Sequence, residues 1–213
     1  MTQSVPRFDA DFVRELAELF RWRRDVRRFR SDPVGDDRID ELVALATLAP
    51  SVGHSQPWRF VSVESNARRS AAIENFERCN ADALASYEGE TAALYARLKL
   101  VGLREAPVQL AVFCDMETEI GHGLGRATMP ETLCYSVVAA IQNLALAARA
   151  RGLGVGWVSI LDPREIATFL DVPAAWRLIA YLCIGYPQEE HLDPELERYG
   201  WQARLPKAEI LRR

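Results

Sequence analysis

Between Arg21 and Arg30 the chain reads RWRRDVRRFR, six arginines in ten residues around one carboxylate, Asp25. Guanidinium forks bind phosphate or carboxylate oxygens in planar, bidentate geometry. A carboxylate held among them has the chemistry of a general base. Three readings fit the pattern: a solvated helix end, a nucleic-acid patch, or a pocket for one phosphorylated small molecule.

The rest of the composition bears on that choice. Net charge is −4, so no overall field attracts nucleic acid, and the cluster lacks aromatics spaced for stacking on bases. The basic residues are almost all arginine, with Lys99 and Lys207 the only lysines. Cys79, Cys114, Cys134 and Cys183 are scattered without paired spacing, which predicts buried free thiols rather than a disulfide framework or a metal site. His54, His122 and His191 lie far apart with no H-E-x-x-H, so no metal is expected. Gly152, Gly154 and Gly156 have the wrong interval for a dinucleotide fingerprint, and no phosphate-loop motif occurs. Ser159 sits in WVSIL, outside any G-x-S-x-G, so it is not expected as a nucleophile.

The elements that must position these residues follow from periodicity. Phe12, Leu16, Leu19 and Phe20 recur at helical spacing, and Ile39, Leu42, Val43 and Ala46 mark a second helix ended by Pro50. WRFVSVE from Trp58 alternates as a strand. Residues 66–99 read as one or two alanine-rich helices of weak periodicity, a candidate lid. PVQLAVFCD from Pro107, GVGWVSIL from Gly154 and LIAYLCIGY from Leu178 read as buried strands. Met116–Met129, with Gly121, Gly123 and Gly125, reads as a flexible loop. Leu133, Val137, Ala140, Ile141, Leu144 and Ala148 stripe a long central helix, interrupted by Gln142 and Asn143 and so not expected to span a membrane. Asp162, Pro163 and Glu165 announce a further helix with a capping box. The tail, 187–213, is polar and is expected to pack on a partner subunit. With 213 residues, 49% of them hydrophobic, one domain spanning 1–213 is expected: an α+β sandwich of helices on a sheet, in the cytoplasm.

Two stretches acquire meaning together: RRDVRRF and, further on, APSVGHSQPW. They resemble the paired signature of the nitroreductase superfamily of FMN proteins. GRATMPETLCYSVVAAIQNLALAARARGLGVGWVSIL, YLCIGYP and GWQARLP are similar to its oxygen-dependent branch, the 5,6-dimethylbenzimidazole synthases, over nearly the whole chain. Asp25 combined with Ser159 points to that branch. His54 and Asp25 depart from the Asn and Ser usual in general NAD(P)H-driven reductases.

The resemblance implies a dimeric, mostly antiparallel sheet flanked by helices. It implies that reduced FMN is substrate and O2 co-substrate, yielding 5,6-dimethylbenzimidazole, the lower ligand of cobalamin, and erythrose 4-phosphate. A separate flavin reductase would supply the reduced FMN. The alternative is an NAD(P)H-dependent FMN nitroreductase. Arg23 and Arg27 would hold the phosphate with help from Arg204. Arg24, Asp25 and Val26 would face the ribityl chain and flavin edge, and Ser51, Ser55 and Gln56 would contact the flavin. Gly154 and Gly156 would let backbone approach the ring. Asp25 would be the base at a sugar hydroxyl, with Ser159 orienting the flavin. Arg21, Arg28 and Arg30 would be solvated or salt-bridged. No nucleic acid, membrane or metal is implied.

Overall fold

Asp9 starts the first helix, α1 (Ala10–Trp22), by accepting a hydrogen bond from the Phe12 N–H at 2.8 Å, as short polar side chains do at helix starts. The computed structural model describes residues 5–98, 102–205 and 210–213. After α2 (Asp36–Ala46) a tight turn leads into β1 (Trp58–Ser62). The expected lid segment forms α3 (Asn66–Ala85) and α4 (Gly89–Tyr95). Then come α5 (Gly102–Glu105), β2 (Val108–Asp115), α6 (Thr132–Ala150), β3 (Gly154–Val158), α7 (Pro163–Phe169), β4 (Trp176–Gly185) and α8 (Glu195–Arg198).

The four strands form one antiparallel sheet in the order β1-β2-β4-β3, leaving β1 and β3 at opposite edges. Side chains alternate across a strand, so β2 sends Leu110, Val112 and Cys114 to one face and Ala111 and Phe113 to the other. The first face packs on α2 and α6 through Leu42, Leu133, Val137, Ile141 and Leu144. The second packs on α3, α5 and α7 through Ala72, Leu103 and Ile166, with Phe29 from the arginine segment. Both faces are covered, which is why β2 reads as an unbroken apolar run. The expected α+β sandwich is thus the observed one.

α6 has the length and hydropathy to cross a membrane, but seven of its residues, from Leu133 to Ala148, are buried against the sheet. The four cysteines are free, and burial pushes the Cys114 and Cys183 thiols up to about 12.

One expectation changes in detail: β3 stops at Val158, so Ser159 stands just beyond the strand rather than within it. The tail also makes contacts on its own chain as far as Trp201. Glu189 and Glu195 pair with Arg28, and Glu190 takes both Arg149 amino groups at 2.7 and 2.9 Å. Trp201 sets its ring edge-on to Tyr87 at 5.7 Å, at the junction of α3 and α4. Charge pairing and one aromatic clasp give order where apolar periodicity is missing.

Candidate functional site

β3 is an edge strand, and its outward N–H and C=O groups need partners. The arginine segment supplies them. Val26 N donates to Val155 O at 3.0 Å, and the Trp157 N–H donates to the Asp25 carboxylate at 2.8 Å. Glycine is required where the two chains cross. A Cβ on Gly156 would stand 2.2 Å from Val26 O, and one on Gly154 would meet Val26 Cγ2 at 2.6 Å. The close approach at Gly154 and Gly156 is therefore filled by Val26 of the same chain, at the positions expected to face a flavin ring.

Asp25 has two oxygens in use: Oδ1 by Trp157, and Oδ2 by Arg27 Nε at 3.2 Å. Arg27 also stands 3.9 Å from Glu195, and its side chain is only 15% exposed. Arg28 pairs with Glu189 and Glu195, Arg21 with Glu18 and Arg30 with Asp32, so all three arginines without an expected role are salt-bridged.

Arg24 differs in its charge surroundings. Its Nε is buried without a hydrogen-bond partner, as is Arg27 Nη1, but among the described residues no carboxylate pairs with Arg24 as Asp25 does with Arg27. Burial lowers its pKa, and the positive charges of Arg23, Arg204 and Arg149 lower it further against one opposing carboxylate, Asp193. Arg23, Arg24 and Arg204 line one open groove of about 700 Å³ with Arg21, Asp193 and Glu197. Arg23 and Arg24 are half-buried and Arg204 is exposed, and an anion in the groove would offset the mutual repulsion of the three.

Arg23 also borders a second groove, of about 520 Å³, lined by Asp25, Val155, Trp157, Ser159 and Ile179. Asp25 and Ser159 line a smaller cavity of about 100 Å³ as well, with Arg27, Phe76, Trp157 and Cys183. The order along the β3 edge is thus cationic groove, carboxylate, hydroxyl. A phosphate, a polyol and a ring joined end to end have the same order, so these residues fit FMN.

Ser51, Ser55 and Gln56 are not at that edge. They precede β1, on the far side of the sheet, where the Gln56 N–H donates to Ser51 Oγ at 3.1 Å and the Val52 N–H to Ser136 Oγ at 3.0 Å. Gly53, His54 and Gln56 take left-handed φ values of 56°, 54° and 46°. Ser55 Oγ is buried without a partner. The expected site residues therefore fall into two groups, one at each edge of the sheet. Two residues near the site carried no clear sequence signal. Glu195 reaches the arginines from 167 positions away, and Asn75 is buried in α3, where weak periodicity was its only hint.

The Nitroreductase family model matches residues 20–186. The chain belongs to the nitroreductase family. Among curated members it is 62% identical, over 97% of its length and 98% of the relative's, to the 5,6-dimethylbenzimidazole synthase of Rhodospirillum rubrum. It is 50% identical to the synthase of the same name from Rhodobacter capsulatus, over 90% of this chain and 92% of the other. In structure, this nitroreductase-family chain is similar to oxidised iodotyrosine deiodinase bound to FMN and 3-iodo-L-tyrosine. The TM-score is 0.72 with 26% identity, covering 93% of this chain and 97% of that one. A nitroreductase-like protein from Bacillus cereus shares the fold, with TM-score 0.63 and 23% identity over 98% and 99% of the two chains.

Proposed function

We propose that this chain is a 5,6-dimethylbenzimidazole synthase that cleaves reduced FMN with O2, releasing erythrose 4-phosphate. The observation that carries the reading is the near full-length 62% identity to the Rhodospirillum rubrum synthase. The layout of the β3 edge supports it. Arg23, Arg24 and Arg204 would hold the phosphate through charge-assisted hydrogen bonds. Arg27, committed to Asp25 and Glu195, would instead keep the Asp25 carboxylate oriented. Asp25 would take a proton from a ribityl hydroxyl, and Ser159 would orient the flavin by hydrogen bonding. Reduced FMN supplies both the electrons and the atoms of the product. A separate flavin reductase would provide it in the cytoplasm. Ser51, Ser55 and Gln56 would reach the flavin from a second copy of the chain, since β1 and β3 are three strand spacings apart, about 14 Å.

Incubating the protein with reduced FMN in air and separating the products by chromatography tests the reaction. Dimethylbenzimidazole should form. Rapid anaerobic reduction of bound FMN by NADPH, with no such product in air, would favour the nitroreductase alternative. Asp25→Asn sharpens the test, because an amide oxygen can still accept from Trp157 while the base is gone. That variant should bind reduced FMN and return it intact and oxidised, with product down about a hundredfold or more. Wild-type yield would remove Asp25 from proton transfer. Loss of FMN binding would make it structural.

A further inference from the structure

The capping box at the start of α7 is only half closed. Asp162 Oδ1 accepts from the N–H groups of Arg164 and Glu165 at 2.8 and 3.3 Å, as an N-cap should. In a complete box Glu165 would return a hydrogen bond to the Asp162 N–H. Here that N–H donates instead to Asn75 Oδ1 on α3, at 2.9 Å. Glu165 Oε2 has turned away to accept from Asn75 Nδ2 at 2.9 Å and from Arg78 at 2.5 Å. Asn75 Nδ2 also lies 3.5 Å from Asp162 O. One amide from another helix has taken over the box.

Asn75 is 2% exposed, on the α3 face that carries fully buried Ala72. A buried helical position favours an apolar residue unless polar groups there need partners. The groups that need them are the peptides just after Ser159. The β3–β4 ladder ends at Val158↔Tyr181, so nothing in the sheet holds the turn from Ser159 to Asp162. Asn75 fixes the far end of that turn. Its neighbour Phe76 lines the same small cavity as Asp25 and Ser159.

We infer that Asn75 is a positioning residue: by gripping the Asp162 backbone it sets where Ser159 stands. This rests on the reading of Ser159 as a residue that faces the flavin. The segment expected as a lid is then, along α3, a brace for the site.

A double-mutant cycle tests it with Asn75→Leu, Ser159→Ala and the pair. The measurements are melting temperature, Kd for oxidised FMN, the visible spectrum of bound FMN, and product per flavin. Asn75→Leu should shift the bound-flavin spectrum in the same sense as Ser159→Ala and lower yield about tenfold. Kd should change no more than about threefold, because the phosphate is held at the other end. The pair should match Ser159→Ala alone. Additive spectral shifts and losses would overturn the inference, since independent sites add. Should Asn75→Leu fail to fold, Asn75→Asp keeps the shape and still accepts from Asp162 while setting a carboxylate against Glu165. Adding Glu165→Gln should restore spectrum and yield, and no restoration would also overturn it. A wild type that makes no product would sink the synthase reading instead, while the spectral cycle would still decide the role of Asn75.

Discussion

Arg24 and Arg27 stand three positions apart, yet their surroundings give them different tasks. Arg27 is answered by carboxylates, whereas Arg24 is crowded by like charge. Arg24→Ala should therefore weaken FMN binding by about 1.5–3 kcal/mol, roughly ten- to more than a hundredfold, and leave riboflavin, which has no phosphate, nearly unaffected. Arg27→Ala should weaken both flavins alike, because it loosens Asp25 rather than the phosphate groove. Paired titrations by flavin fluorescence check this, and equal selectivity in the two variants would refute the division. The sequence located the arginine cluster and its one carboxylate. It could not divide the labour, because the answering acids come from the distant tail: Glu189 pairs with Arg28 across 161 positions. Charge is visible in a sequence; its partner is not.

Helices and strands were legible wherever burial imposes a period, as in α6 and β2, and their order predicted the sandwich. Less was legible where one element ends on another. GVGWVSIL reads as one strand, but its last residues turn toward α7, and the amide that holds the turn comes from α3. GVG, likewise, marks a place of close approach, which the resemblance assigns to the flavin ring. The neighbour is Val26, which gives a stability prediction. Gly156→Ala places a methyl 2.2 Å from a backbone oxygen, which cannot swing aside as a flexible side chain could. Overpacking of this kind costs about 1–3 kcal/mol. Thermal unfolding of the apo protein should therefore fall by roughly 2–12 °C. An unchanged melting temperature would mean that the arginine segment is not seated on β3.

At the scale of the whole molecule, the two groups of site residues meet only if copies of the chain meet. α1 buries none of its own residues, and Phe12, Val13 and Phe20 remain exposed along it, as does Phe8 just before it. Ile120, Leu124, Met129, Tyr135 and Val138 are exposed around the start of α6, beside the turn that carries Ser51, Ser55 and Gln56. Such apolar surface suits the proposed homodimer. The placement of β1 and β3 at opposite edges then has a genetic consequence. In a two-fold dimer each site draws one half from each subunit. Asp25→Asn and Gln56→Ala would damage different halves, and each alone should lose most of its product. A hybrid of the two chains would carry both lesions in one site and none in the other. Co-expressing the two alleles should thus revive dimethylbenzimidazole synthesis to about a quarter of wild type, the share expected from random pairing. Two alleles damaged in the same half should never rescue each other.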